Sequence, residues 1–220
     1  MTRSLTRSSA RWLAAYGLVS LVNVVSGLGG RGLVFGLTLF LAMPILVAAL
    51  RATRPVHAQV GLVVAALVFS WLGDWLGGLT TILIKIAFFF AAQLCYVAAF
   101  WPYRARSALL QLRRGGVWAL LIMVLLVVIV PSTGALAPAV IIYGCSLGLM
   151  AVLATGVHPV TAVGAAFFVV SDSFIALTTF VAPGGFPGSG TLIMATYLTG
   201  QLLIVLGFLH AAPPHRRRAG

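Results

Sequence analysis

The stretch Leu67-Val-Phe-Ser-Trp-Leu-Gly-Asp-Trp-Leu76 places one carboxylate, Asp74, in an otherwise apolar run. With the apolar residues before it, the run reaches the roughly 20 residues that a membrane-spanning helix needs. A second such stretch, Gly164-Ala-Ala-Phe-Phe-Val-Val-Ser-Asp-Ser-Phe174, contains Asp172. The chain has 220 residues and no other acidic residue. Because a carboxylate in hydrocarbon is costly, each aspartate is predicted to face the protein interior or a wet cavity and to mark a functional site.

The composition of the whole chain agrees with a membrane protein. Hydrophobic residues make up 61% and charged residues 7%, whereas soluble proteins have about 25% charged residues. The net charge of +12 does not indicate a nucleic-acid partner, because the basic residues cluster in short connectors between apolar runs. The predicted fold class is all-α, a polytopic membrane helix bundle that forms one domain over residues 1–220.

Glycine and proline divide the chain into eight predicted membrane spans. A short basic tail is predicted before them, at residues 1–11, and another after them, at 212–220. The predicted spans are Trp12–Leu28, Leu33–Leu50, Ala58–Leu76, Thr80–Phe100, Val117–Val130, Gly134–Ala154, Pro159–Val181 and Thr191–Ala211.

The positions of the basic residues predict how the spans are oriented. If the N-terminus is cytoplasmic, twelve of the 14 lysines and arginines lie in cytoplasmic segments, while Arg31 lies outside and Lys85 lies within a span. Such a bias is typical of cytoplasmic loops, and it requires an even number of spans. Both termini are therefore predicted to be cytoplasmic, in a multi-pass protein of the cell membrane, and the excess of arginine over lysine favours a bacterial plasma membrane. The twelve cytoplasmic residues are Arg3, Arg7, Arg11, Arg51, Arg54, Arg104, Arg106, Arg113, Arg114, Arg216, Arg217 and Arg218.

The three ionisable residues inside the spans are predicted to share one layer of the membrane. At about 1.5 Å per residue, Asp74 and Asp172 lie roughly 23 and 20 Å along their spans from the cytoplasmic ends, and Lys85 lies about 8 Å in from the other side. Asp74 can have a structural role through pairing with Lys85 or with a helix N-terminus, and Asp172 can have one through hydrogen bonds with the neighbouring Ser171 and Ser173. Two acids and one lysine nevertheless leave one acid without a cation, and that acid is expected to be protonated. A neutral acid beside an ionised one suits acid–base chemistry.

Two pairs of polar residues lie on helix faces where they can join this layer. Gln93 and Tyr96 are three residues apart in the fourth span, and Tyr197 and Gln201 are four apart in the eighth, so each pair shares a helix face. They are candidates for positioning a substrate, and the alternative is ordinary hydrogen bonding between helices.

The remaining polar residues indicate no second site. Asn23 and Tyr143 are single polar residues in their spans and are interpreted as helix contacts. The histidines (His57, His158, His210 and His215) have no metal-ligand spacing and are placed far from the aspartates, so neither a metal nor another cofactor is predicted. The motifs of nucleotide-binding loops and of serine hydrolases are also absent from the sequence.

Four sequence elements carry a resemblance to a known family. They are Ser70-Trp-Leu-Gly-Asp-Trp-Leu76, Phe88 to Tyr96, Gly164-Ala-Ala-Phe-Phe-Val-Val-Ser-Asp172, and Tyr197-Leu-Thr-Gly-Gln201. Together they resemble the YhhN family of multi-span membrane proteins, whose animal members are lysoplasmalogenases. The chain departs from the family pattern at two positions. Met43 precedes Pro44 where the family usually has lysine, and Gln93 stands where it usually has histidine.

The resemblance implies hydrolysis of the vinyl ether bond of a lysoplasmalogen, a lysophospholipid, to a fatty aldehyde and a glycerophospho-base. In that reading Asp74 and Asp172 form the catalytic acid–base pair, and the sequence does not decide which of them is the acid. The substrate-binding candidates are Lys85, Gln93, Tyr96, Ser171, Tyr197 and Gln201. Membrane lipids are the expected surroundings, and the sequence makes no prediction about oligomeric state.

Three other functions fit parts of the same pattern. A proton-coupled transporter of small molecules or lipids would use the two aspartates as a proton relay. An intramembrane aspartyl protease is suggested by Gly73-Asp74 alone, since its other motifs are absent from the sequence. A lipid-binding scaffold without catalytic activity would fit the two departures from the family pattern.

Overall fold

The computed structural model describes residues 7–30, 32–53 and 58–211, and within them the chain is helical and contains no strand. This confirms the predicted all-α class. Eight of the helices in the described residues are long and apolar enough to cross a membrane, and the chain is accordingly a multi-pass membrane protein. They are α1 (Arg7–Leu28), α2 (Leu33–Ala52), α3 (Val60–Leu79), α4 (Ile82–Phe100), α5 (Leu112–Ile129), α6 (Ala137–Val157), α7 (Pro159–Ala176) and α8 (Ser189–His210).

The ends of several helices differ from the predicted spans. Helix α1 begins at Arg7 and not at Trp12, so it includes residues 7–11, which were placed before the first predicted span. No proline or glycine interrupts this turn, and long arginine side chains can extend from a helix end toward water. Helix α5 likewise begins at Leu112 and runs through Gly115 and Gly116, because two glycines lower helix stability without ending the helix.

The connection between α7 and α8 is the most irregular part of the described chain. The α-helical part of α7 ends at Ala176 and is followed by one turn of π-helix, Leu177–Val181. Gly184, Gly185 and Gly188 then have positive φ angles of 94°, 65° and 85°, which side chains with a β-carbon rarely adopt. These turns bring the chain back so that α8 packs along α7.

Helix α8 lies at the centre of the bundle. Of the eight helices it is the most buried, and it contacts α1, α2, α6 and α7. The other close pairs are α1 with α2, α2 with α3, α3 with α4, and α4 and α7 each with α6, whereas α5 packs on the outside of α6. Helices α3 and α7, which carry the two aspartates, have no extensive interface in the described residues. Side chains of other helices therefore surround both aspartates.

Glycines allow α7 and α8 to approach closely. A β-carbon on Gly200 would lie 2.9 Å from the backbone oxygen of Gly164 and 3.0 Å from the backbone nitrogen of Phe168. On Gly207 it would lie 2.3 Å from the backbone nitrogen of Thr161. Small residues of this kind let membrane helices pack backbone to backbone. The α7–α8 pair is thus a fixed support for Asp172 and Tyr197.

The aspartates lie near the same end of the bundle. Asp74 is five residues before the end of α3, and Asp172 is four residues before the end of α7. We call this end, which contains residues 80–81 and 177–188, the site end. Its location on the non-cytoplasmic side stays a prediction, since several of the charges on which it depends lie outside the described residues: Arg3, Arg31, Arg54, Arg216, Arg217 and Arg218.

Candidate active site

Asp74 is held by a tyrosine from the central helix. The Tyr197 hydroxyl donates a hydrogen bond of 2.7 Å to Asp74 Oδ2. Asp74 is 8% exposed and Tyr197 is 2% exposed. The Tyr197 ring packs edge-on against Phe89 of α4 and Phe168 of α7, with centroids 5.9 and 5.6 Å away. Because both rings restrict the tyrosine, its hydroxyl has a fixed direction toward α3.

A second layer of hydrogen bonds lies behind this pair. The Tyr96 hydroxyl donates to Gln201 Oε1 at 2.6 Å, and Gln201 Nε2 donates to the Ser70 hydroxyl at 3.1 Å. All three residues are fully buried. The bonds connect α4, α8 and α3, so the helix faces predicted for the tyrosine–glutamine pairs do meet. The Gln201 amide is satisfied at both ends, as a buried amide should be.

Asp172 is also held by a tyrosine, which the sequence analysis interpreted only as a helix contact. The Tyr143 hydroxyl of α6 donates a hydrogen bond to Asp172 Oδ2. Asp172, like Asp74, is 8% exposed. Tyr143 has no local motif that identifies it. The one available signal is its depth, six residues from the start of α6 at the site end.

Gln93 lies beside the Tyr143–Asp172 pair. Its amide is close enough to interact with the Tyr143 hydroxyl. In the described part of the chain, however, neither its nitrogen nor its oxygen makes a hydrogen bond of ordinary geometry, although the residue is fully buried. Gln93 therefore has donor and acceptor capacity to spare next to Asp172.

Lys85 is positioned by two glycines that flank Asp74. A β-carbon on Gly77 would lie 2.7 to 3.1 Å from the Lys85 side-chain carbons, and one on Gly73 would lie 2.7 Å from the Phe89 ring. The Lys85 ammonium is 5.9 Å from the centre of that ring. Among the described residues Lys85 makes no direct ion pair with either aspartate, so the Lys85–Asp74 ion pair considered from the sequence is not present. Its positive charge nevertheless acts on both carboxyl groups.

The two serines beside Asp172 bond elsewhere. Ser171 donates to the backbone oxygen of Ile193 on α8 at 3.1 Å. Ser173 donates to the backbone oxygen of Val169 one turn earlier, at 2.7 Å. Neither serine hydrogen-bonds Asp172, so the sequence-based alternative in which they satisfy its carboxyl group is not supported.

Tyr16 of α1 is a further buried tyrosine that the sequence analysis did not select. Its hydroxyl donates to the backbone oxygen of Leu198 at 2.8 Å, and the residue is 1% exposed. It lies close enough to Asp74 and Tyr197 to interact with them electrostatically. Because its acceptor Leu198 directly follows Tyr197, Tyr16 supports that part of α8. Asn23, by contrast, joins α1 to α2 through Phe35 and Thr38, as predicted for a helix contact.

A polar cavity of about 480 Å³ opens at the site end. It lies between the end of α7, the start of α8 and Gly27 of α1, and hydroxyl groups line much of it. Ile193 lines the cavity, and its backbone oxygen accepts the hydrogen bond from Ser171, the residue before Asp172. The wall of the cavity is thus connected to α7 at the residue next to Asp172. The hydroxyl-bearing residues are Thr178, Thr179, Ser189 and Thr191.

The histidines within the described residues lie near the other end of the bundle. His158 and His210 have ring centroids 6.1 Å apart, a pairing that their sequence spacing did not indicate. His57 and His215 are outside the described residues. Within those residues no three histidine, cysteine or acidic side chains are grouped to hold a metal ion.

Comparison with known proteins gives one match. Residues 33–208, most of the chain, match the YhhN family. No curated protein and no solved structure has significant similarity to the chain. The matched region begins at α2 and ends within α8, so it includes both aspartates and the tyrosines that bind them. The chain belongs to the YhhN family.

Proposed function

We propose that this protein hydrolyses the vinyl ether bond of lysoplasmalogens. One observation carries the proposal: two buried carboxyl groups, each bound through one oxygen by a tyrosine from another helix, lie within electrostatic range of the same lysine, Lys85. A pair of acids in different surroundings is suited to supplying a proton and accepting one in the same reaction. Membership of the YhhN family, which the sequence analysis associates with lysoplasmalogenases, points to the same chemistry.

The reaction needs both acids. A vinyl ether is hydrolysed when a proton adds to the carbon distant from oxygen, which leaves an oxocarbenium ion that water captures. The resulting hemiacetal breaks down to a fatty aldehyde and the free glycerol hydroxyl. A carboxylic acid supplies the proton, and a carboxylate stabilises the cation and takes a proton from water. Glycosidases divide similar work between two carboxyl groups.

The surroundings of the site suit an amphiphilic substrate. The polar cavity offers hydroxyl groups to a glycerophospho head group. Thr179 at its wall is seven residues beyond Asp172, a distance of about 10 Å along a helix. The alkenyl chain would reach the site from the hydrocarbon of the bilayer. In this proposal Gln93 and Lys85 position the substrate, while Tyr96, Tyr197 and Gln201 act by holding Asp74 in place.

The test is direct measurement of aldehyde release. Purified protein in detergent micelles is incubated with a lysoplasmalogen, and the fatty aldehyde is measured by mass spectrometry. The matched control substrate is the lysolipid with a saturated ether bond, which cannot be protonated at carbon. We expect aldehyde from the vinyl ether only. Release from neither lipid would contradict the proposal.

The isotope content of the aldehyde tests the mechanism separately. In heavy water, protonation at carbon places one deuterium on the carbon next to the aldehyde group. Aldehyde that forms without this deuterium would exclude the acid mechanism while leaving the activity in place.

A proton-coupled transporter remains the alternative, with the aspartates as its relay. The same protein in liposomes distinguishes the two functions. Proton movement that requires the lysolipid and yields no aldehyde would favour transport, and would contradict hydrolysis as the function.

A further inference from the structure

The two aspartates have the same contact on one oxygen. Tyr197 binds Asp74 through Oδ2, and Tyr143 binds Asp172 through Oδ2. No hydrogen bond among the described residues ends on either Oδ1. Each residue also keeps 8% of its surface accessible. Oδ1 is therefore the oxygen that each carboxyl group has left for a proton, water or substrate.

The positive charge distinguishes the two sites. The Lys85 side chain packs on Gly77, three residues beyond Asp74 and therefore on the same face of α3. Its ammonium lies over Phe89, whose ring contacts Gly73 on the other side of Asp74. The groups facing Asp74 are thus Lys85, Tyr197 and Tyr16. Those facing Asp172 are Tyr143 on α6, with Lys85 and Asp74 acting across the bundle.

One lysine cannot neutralise two carboxylates. When like charges share a site, only one of the acids ionises readily, and the cation is built into the surroundings of Asp74. From this asymmetry we propose that Asp172 is the proton donor, that Asp74 is the carboxylate, and that Tyr143 is a positioning residue for the donor. The inference deepens the proposed hydrolysis and rests on it.

Tyr143 would act in two ways. By donating to Oδ2 it makes that oxygen the acceptor, so the transferable proton is held on Oδ1. Once the proton has left, the same hydroxyl donates to a carboxylate, and a charged hydrogen bond is about twice as strong as a neutral one. Tyr143 thus binds the developing charge more tightly than the ground state, which is the requirement for accelerating the step.

The proton balance closes over one turnover. The Asp172 Oδ1–H bond breaks as a C–H bond forms at the vinyl carbon distant from oxygen. Water then bonds to the oxocarbenium carbon and gives one proton to Asp74. As the hemiacetal collapses, its hydroxyl proton returns to Asp172, and the Asp74 proton passes to the departing glycerol oxygen. Both aspartates end in their starting states.

The test compares Tyr143→Phe with the matched variant Tyr197→Phe. Each removes one hydroxyl from one aspartate. We expect Tyr143→Phe to lower kcat about tenfold to a hundredfold, with KM changed less than about twofold because substrate binding is untouched. It should displace the alkaline limb of the kcat–pH profile, which reports the acid, and Tyr197→Phe should displace the acidic limb, which reports the base.

A second readout does not depend on activity. A protonated carboxyl group gives an infrared C=O band that a carboxylate lacks. We expect Tyr143→Phe to shift this band, because its oxygen loses a hydrogen bond, and Tyr197→Phe to leave it in place. A shift in Tyr197→Phe alone, or exchanged limbs in the pH profiles, would overturn the assignment. If the wild type releases no aldehyde, the proposed hydrolysis fails and the infrared result alone decides which aspartate is protonated.

Discussion

The surroundings of the two aspartates differ in how completely their hydrogen bonds are satisfied. Around Asp74, Tyr197 is backed by a closed set of bonds among Tyr96, Gln201 and Ser70. Around Asp172, Tyr143 is backed by Gln93, whose amide makes no hydrogen bond of ordinary geometry in the described residues. A closed set holds its members rigidly, whereas spare capacity in a buried amide needs an explanation. We infer that the Asp74 side is the supporting part of the site and that the Asp172 side is where a substrate adds contacts.

Replacing either aspartate tests whether both sides are needed. We expect Asp74→Asn and Asp172→Asn each to lower aldehyde release by about 10²–10⁴-fold, since each removes one partner of acid–base catalysis. Asparagine retains an oxygen that accepts the tyrosine hydrogen bond, so the folded state should persist. Ser173→Ala is the control on α7, because Ser173 bonds only to its own helix. Activity near that of the wild type in either asparagine variant would exclude the acid pair.

Variants that disturb helix packing can affect the surroundings of both aspartates or of one aspartate only. In Gly200→Ala the new methyl group meets the backbone of α7 at 2.9 Å, which cannot move without shifting a helix. We expect a loss of about 1–3 kcal/mol of stability, together with lower activity, because α7 and α8 carry Asp172 and Tyr197. Thermal unfolding in detergent measures the loss.

The matched variant for this packing is Gly73→Ala on α3. Its methyl group meets the Phe89 ring, a side chain that can shift more readily than the backbone of a neighbouring helix. We therefore expect a smaller loss of stability, with the structural change confined to the surroundings of Asp74. Equal losses in Gly73→Ala and Gly200→Ala would contradict the view that α7–α8 is the more rigid support.

Much of this arrangement follows from the sequence. The apolar runs and their glycine and proline boundaries predict the eight helices, and helical rise predicts that Asp74 and Asp172 lie near one end of the bundle. The i, i+4 spacing of Tyr197 and Gln201 predicts that both side chains point the same way. These are properties of single helices, which local sequence determines.

Contacts between distant helices could not be predicted in the same way. Tyr143 is 29 residues from Asp172 in the chain, and no spacing rule connects α6 with α7. Tyr197 reaches Asp74 across 123 residues because α8 lies at the centre of the bundle, which depends on glycine packing between helices rather than on the hydropathy of any one of them. The alternative in which the serines satisfy Asp172 is not supported, because Ser171 bonds to a backbone oxygen of α8 and Ser173 to one of its own helix.

The two glutamines provide the sharpest comparison between the sides. Gln201→Leu leaves the Tyr96 and Ser70 hydroxyls without their partner, and we expect it to cost about 1–2 kcal/mol of stability. Gln93→Leu removes an amide that has no hydrogen bond of its own, and we expect stability to stay the same or rise. Its activity should nevertheless fall, with a higher KM. Equal losses of stability in the two variants would mean that the hydrogen bonds around Asp172 are as completely satisfied as those around Asp74.

The smallest expected effect concerns Ser171, which the sequence analysis selected as a substrate-binding candidate. Its hydroxyl is fully buried and occupied by the backbone oxygen of Ile193 on α8. We therefore expect Ser171→Ala to lower stability by about 0.6 kcal/mol, the average for hydrogen bonds between membrane helices. Ser173→Ala should cost less, because helix α7 retains its backbone bonds without that side chain.

A substrate contact would produce the reverse pattern in Ser171→Ala, a raised KM with unchanged thermal unfolding. That result would place the substrate on the α8 side of Asp172, and Gln93 on α4 would then no longer lie on the face that receives it.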